Sequence, residues 1–232
     1  MRWLPLLALI LPGVAHAGIR TFSVGSFDRV RVEWPFEVHV VAGSPGAKAT
    51  ADQATLDRLE IIPNGTTLVV RLGDNGWGET PGKPTRTIPV VTLSTPRLTG
   101  LSVIAGAQVT VDRATAQRID FAINGAGTLS VARVETDQLV ASVVGAGVLT
   151  LGGTAQRARL MVNGPGSIGG TLASNDLIAR VEGSGGIETK ARFTAQVTTT
   201  GLGKVIVTGS PKCLVKAVAG GPVQCGTSTT AP

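Results

Sequence analysis

The sequence predicts an all-β fold, a parallel β-helix with coils of about 18–20 residues, taken as right-handed by analogy with parallel crossovers. Three observations carry that expectation. First, a small glycine-centred tripeptide recurs as Ala105-Gly106-Ala107, Gly125-Ala126-Gly127, Gly145-Ala146-Gly147, Gly164-Pro165-Gly166, Gly183-Ser184-Gly185, Gly201-Leu202-Gly203 and Gly220-Gly221-Pro222. The first members are 20, 20, 19, 19, 18 and 19 residues apart, too regular for chance among 31 glycines in 232 residues. Second, apolar residues flank the tripeptide at fixed offsets: Val109, Leu129, Leu149, Ile168, Ile187 and Val205 follow it, and Val103, Ile123, Val143, Val162 and Val181 precede it. A further column, Leu101, Phe121, Ala141, Leu160, Ala179 and Val197, stands two residues before that, which is the period of a strand with one buried face. Third, nothing between 105 and 220 has a 3.6-residue period, and a glycine inside a helix costs about 1 kcal/mol. Stacked coils then pile equivalent side chains into columns. Each burial is worth roughly 1.5–3 kcal/mol and requires a neighbouring coil.

In chain order, Met1–Ala17 combines Arg2, an apolar run from Trp3 to Leu11, Pro12-Gly13 and Ala15-His16-Ala17. This is the pattern of a signal peptide, with cleavage expected after Ala17. The apolar run is too short to span a bilayer as a helix. Gly18 rather than a cysteine follows the site, which argues against a lipid anchor. The mature chain, 18–232, is expected to be one domain, periplasmic or secreted, with no transmembrane segment.

Residues 18–104 read as N-terminal coils and a cap. Placing Trp34 at the first tripeptide position drops Val30, Val32, Val38 and Val40 into the apolar columns, so a coil without glycines precedes the regular ones. Its bulky Trp34-Pro35-Phe36 corner is expected to cover the open end of the stack. Ala51–Glu60, with Asp52 and Asp57 near its ends, reads as a short helical turn. Asn64-Gly65 between apolar runs reads as a hairpin or tight corner. Gly73–Lys83 is the longest irregular loop, and Trp77 within it is a candidate contact residue. Ile88–Leu93 and Leu98–Val103 are strands feeding the regular coils at 105–224.

Within those coils Gly125, Gly127, Gly145, Gly147, Gly164, Gly166, Gly183, Gly185, Gly201 and Gly203 read as corners, where a positive φ or a missing side chain lets one coil sit on the next. In the last coil Lys216 and Gln224 fall in columns that elsewhere hold valine. Cys213 and Cys225, near the C-terminus, are expected to form a disulfide that pins this coil, worth roughly 3 kcal/mol for a loop of about 13 residues. The tail 226–232 is Thr/Ser-rich and expected to fray.

Composition narrows the function classes. Charged residues make up 16%, aromatics 3%, and tyrosine is absent, which is poor material for nucleic-acid recognition by stacking and basic contacts. The formal charge of +6, or +5 once Arg2 is removed, fits weak attraction to anionic glycans or lipid head groups as well as a solvated surface. The outward arginines of the coils, Arg113, Arg118, Arg133, Arg157, Arg159, Arg180 and Arg192, form no unbroken column. Catalysis would need converging carboxylates or a basic partner for them. His39 is the one histidine of the mature chain, and Asp112, Asp120, Glu135, Asp137, Asp176, Glu182 and Glu188 occupy differing coil positions. No catalytic, cofactor or metal residues are assigned.

Trp34-Pro35-Phe36-Glu37-Val38-His39-Val40, then Leu98-Thr99-Gly100-Leu101, then Ile123-Asn124-Gly125-Ala126-Gly127 and the later Gly-x-Gly coils, resemble the head GIN domain family over about Phe22–Val223. Its members are described as putative auto-transporter adhesins of bacterial envelopes. The resemblance implies a right-handed parallel β-helix and an exported, adhesive role, and it brings no catalytic residues. Leu202 and Pro165 replace the small middle residue of the motif. The expected function is a non-enzymatic envelope binding module for glycan, protein or another copy of itself. The alternatives are a structural or assembly protein of the periplasm and, more remotely, a carbohydrate-active β-helix enzyme.

Overall fold

A computed structural model describes residues 18–73, 88–226 and 228–230. The expected signal peptide and Trp77 lie outside the described residues. The chain forms β1 (Gly18–Phe22), β2 (Arg29–Val32), β3 (Glu37–Ala42), β4 (Gly46–Ala51), α1 (Gln53–Arg58), β5 (Leu59–Asn64), β6 (Thr67–Leu72), β7 (Val90–Thr95) and β8 (Gly100–Ile104). Three long strands follow, β9 (Gln108–Asn124), β10 (Thr128–Val144) and β11 (Val148–Asn163). The remainder is β12 (Ser167–Gly170), β13 (Ala173–Glu182), β14 (Gly186–Thr199), β15 (Val205–Gly209), β16 (Lys212–Ala217), β17 (Val223–Cys225) and β18 (Ser228–Thr230). One continuous hydrogen-bonded sheet winds into a β-solenoid of about 7 turns.

Each regular coil has a side I strand, a bend, a side II strand and the glycine corner. Side I stacks β1, β4, β7, β3, then the starts of β9, β10 and β11, then β12, β14, β15, β17 and β18. Side II stacks β5, β6, β2, β8, then the ends of β9, β10 and β11, then β13, the end of β14, and β16. The apolar columns fill the space between the sides. Leu129 lies on Val109 and Leu149 on Leu129, while Ile123, Val143 and Val162 are likewise in register and fully enclosed. The polar intruders in these columns are satisfied locally: the buried Thr189 hydroxyl donates to Leu172 O at 3.2 Å and that of Thr199 to Gly201 O at 3.2 Å.

The N-terminal coils do not stack in chain order. β2 lies between β6 and β8, and β3 between β7 and β9, so the coil holding Trp34-Pro35-Phe36 is inside the stack instead of capping it. Phe36 is 0% exposed while Trp34 remains 44% exposed. Phe36 sits where later coils carry a glycine, filling a corner that in this coil has room for a ring. The end is closed by antiparallel strands: β1 pairs β4 on side I, and β5 pairs β6 on side II through a hairpin at Gly65, whose φ is +60°. Pro63 lies in β5, an edge strand, where its missing N–H costs no ladder bond. Asp52 caps α1, accepting from the Thr55 amide at 3.0 Å.

The last coil also departs from the sequence reading. Val215 lies on Val197, Val223 on Val205, and Cys225 on Val207, so the corner begins at Ala219 and the step is 18 residues. Lys216 and Gln224 are exposed neighbours of the core columns instead of members. A slip of one residue exchanges the two faces of a strand, which is why the reading from Gly220 made the core pattern fail there.

Candidate binding face

The glycine corners are packing devices. Gly145 adopts φ +107°, and a Cβ there would lie 2.8 Å from Gly125 O of the preceding coil; Gly125, Gly164 and Gly183 share the conformation. Gly147 faces inward, where a Cβ would fall 2.5 Å from Ile123 Cγ2 and 2.9 Å from Gly127 O. Gly127, Gly166, Gly185 and Gly203 meet a valine methyl in the same way, and a Cβ on Gly201 would overlap Gly183 O. Such contact between coils makes these glycines part of the packing between neighbouring coils.

Cys213 and Cys225 form a disulfide with a Cα–Cα distance of 6.2 Å. It ties side II to side I in the terminal coil, where, among the described residues, β16 has a neighbour on one edge only.

His39 projects from side I. Its Nδ1 is 2.6 Å from Thr110 Oγ1 and its Nε2 3.0 Å from Glu37 Oε1. The chain Glu37–His39–Thr110 superficially has the members of a nucleophilic triad. Thr110, however, lies on β9, which is paired on both sides there, so its neighbouring amides are committed to the ladder and supply no oxyanion donors. Among the described residues no three His, Cys, Asp or Glu side chains converge as metal ligands would. Glu135 of the bend instead meets Arg113 at 3.7 Å.

Side II carries a different arrangement on its outer surface. Two shallow hollows, of about 300 and about 460 Å³, adjoin on this surface and share Val140 as a lining residue. Their floor is made of small or half-buried residues in register across β8, β9 and β10: Gly100, Ser102, Ala122, Val140 and Ser142. Arg29 and Arg31 of β2 border one end, Arg157 and Arg159 of β11 the other, and Arg118 one flank. The alternation of the strands puts Arg29 and Arg31, and likewise Arg157 and Arg159, on the same outer face two residues apart. Within the hollows these five arginines face two carboxylates, Asp120 and Asp176, and Arg31 is also ion-paired with Glu33 beside them at 2.5 Å. Asp120 is shared, 3.1 Å from Arg118 Nη2 and 3.7 Å from Arg29 Nη2. Asp176 accepts from the Thr194 hydroxyl at 2.6 Å. Among the described residues Arg157 and Arg159 have no acidic partner within 4.0 Å. By contrast, a hollow of about 300 Å³ on side I is lined by one acid and one base, Glu188 and Lys204.

Four of the arginines singled out from sequence, Arg118, Arg157, Arg159 and Arg180, therefore share side II, while Arg113, Arg133 and Arg192 lie on the bend. Arg29 and Arg31 were missed. The columns formed by Val30 and Val32 already place them outward, but only the out-of-order stacking sets them beside Gly100 and Ser102.

A family model described as "Putative auto-transporter adhesin, head GIN domain" matches residues 26–211. None of the curated proteins matches the chain. Among solved structures, a putative adhesin from Bacteroides fragilis NCTC 9343 superimposes with a TM-score of 0.76 at 19% identity, covering 92% of this chain and 95% of its own. A putative adhesin from Parabacteroides distasonis ATCC 8503 gives 0.71 at 17% identity, with 90% and 97% covered. A protein of that same organism called a putative lipid binding protein gives 0.69 at 15% identity, with 93% and 98% covered. At these identities the likeness is one of fold.

Proposed function

Because the chain belongs to the putative auto-transporter adhesin, head GIN domain family, we propose that it is an exported, non-enzymatic binding module of the bacterial cell envelope that makes contact through the outer surface of side II. The observation that carries this reading is the coincidence, on that side, of two adjoining hollows with cationic charge at Arg157 and Arg159 that has no acidic partner within 4.0 Å among the described residues. Strands held on both edges fix the backbone of this surface, so a docking partner orders side chains and not the backbone. A disulfide at Cys213 and Cys225 supports residence in an oxidising compartment, and among the described residues no helix is long and apolar enough to cross a membrane.

The test is binding of the purified mature chain to isolated cell envelopes of the bacterium that makes it. Saturable binding is expected. Its absence, with the protein folded by circular dichroism, would leave the structural or assembly role as the better reading.

A further inference from the structure

Resting on the binding-module reading, we infer that the two adjoining hollows of side II form a furrow that takes a linear anionic glycan. Its acidic groups pair with Arg157, Arg159 and Arg118 around one hollow and with Arg29 and Arg31 at the far end of the other, while its sugar rings lie on the floor between the arginine pairs. Three features select this ligand class. The cations stand at both ends of the furrow: four coil steps separate Arg29 and Arg31 from Arg157 and Arg159, which at about 4.8 Å per step is roughly 19 Å. A single small anion cannot engage both ends, whereas an extended chain with repeated acidic groups can. Guanidinium groups bind carboxylate, sulfate or phosphate oxygens in a two-pronged geometry, and Arg157 and Arg159 have no acid within 4.0 Å to compete.

The floor supplies the second feature. Gly100, Ser102, Ala122 and Ser142 project little, so a flat ring can approach the backbone, and the serine hydroxyls offer hydrogen bonds alongside the methyl groups of Val140 and Ala122. The third feature is what the furrow lacks as a membrane surface. Interfacial binding needs large apolar side chains to insert beside the cations, and among the described residues Ile178 is the one large, exposed apolar side chain lining the furrow.

The experiment uses the mature chain with fluorescein-labelled polygalacturonate as the anionic probe, dextran as the neutral one, and phosphatidylglycerol vesicles as the lipid arm. Each is titrated against the wild type, Arg157→Gln/Arg159→Gln, and Arg133→Gln/Arg192→Gln, which removes the same charge from the bend. Polygalacturonate is expected to bind saturably, weaken with salt, and lose about tenfold or more with the furrow variant but less than about threefold with the bend variant, as removal of charge-assisted bonds implies. Dextran is expected not to bind. Equal losses in the two variants, binding to vesicles alone, or no binding to polygalacturonate would overturn the inference. If polygalacturonate fails while cell envelopes bind saturably, the glycan inference falls and the binding module stands; if both fail, both fall. Far-UV circular dichroism and thermal melting confirm that the variants are folded.

Discussion

Arg29 and Asp120 stand two coils apart and meet at 3.7 Å across the bare backbone of Gly100. A Cβ on Gly100 would lie in van der Waals contact with Arg29, 3.4 Å from its Cγ, so the arginine side chain runs directly over the glycine. Asp120 thereby holds both Arg29, at one end of the furrow, and Arg118, on its flank, and is the acid that an anionic ligand must displace to reach these two arginines.

Replacing that acid tests the electrostatics directly. Asp120→Asn is expected to strengthen binding of an anionic polymer by about two- to fivefold, since a repulsive carboxylate is removed and two arginines are released. Stability should change by less than about 1 kcal/mol, because the ion pairs are partly exposed. Titration with labelled polymer and urea unfolding measure the two effects, and weaker binding in a stably folded variant would argue against the furrow.

The glycine corners should respond in stability. Gly145→Val forces a branched side chain into φ +107° and against Gly125 O, and Gly147→Ala drives a methyl group into Ile123. Each is expected to cost at least about 2 kcal/mol, combining backbone strain with overpacking. Unfolding midpoints indistinguishable from wild type would show the corners to be looser than described.

Loss of the disulfide should be felt locally. Cys213→Ala/Cys225→Ala is expected to cost about 3 kcal/mol on the chain-entropy model and to speed amide exchange in Lys212–Ala217, an edge strand with one paired neighbour. Exchange accelerated equally throughout the chain would place the effect elsewhere.

The N-terminal helix has a pH-dependent anchor. The Thr55 hydroxyl, donating to Asp52 at 2.8 Å, holds that carboxyl below the ordinary carboxylate range, and backbone amides add to the effect while burial opposes it. A carboxyl whose pKa is lowered by folding contributes stability above its unfolded value, about 3.9, and loses that contribution as pH falls through the folded value. Asp52→Ala is therefore expected to cost about 1 kcal/mol at pH 7 and less in acid. Urea unfolding at the two pH values checks this, and an undiminished cost in acid would contradict it.

The regular coils were legible because period-two columns such as Leu129 on Val109 are written directly in residue spacing. Two features were not. Hydrophobic columns show which way a side chain points but not which coil lies beside it, so nothing local revealed that β2 is inserted between β6 and β8. For the same reason Trp34-Pro35-Phe36 resembled a cap, although Phe36 is core. In the last coil, alanine at position 219 interrupts the glycine beat, and the next glycine pair moved the register by one residue. The binding face depends on both inward register and coil order, which left Arg157 and Arg159 visible as outward residues but not as neighbours of a furrow reaching to Arg29 and Arg31.

The most direct measurement is a set of binding isotherms to isolated cell envelopes for wild type, Arg157→Gln/Arg159→Gln and Arg133→Gln/Arg192→Gln. If side II is the contact surface, the furrow variant loses about tenfold in affinity, the scale of one or two charge-assisted bonds, while the bend variant stays near wild type. Superimposable isotherms for wild type and the furrow variant, both folded, would contradict it.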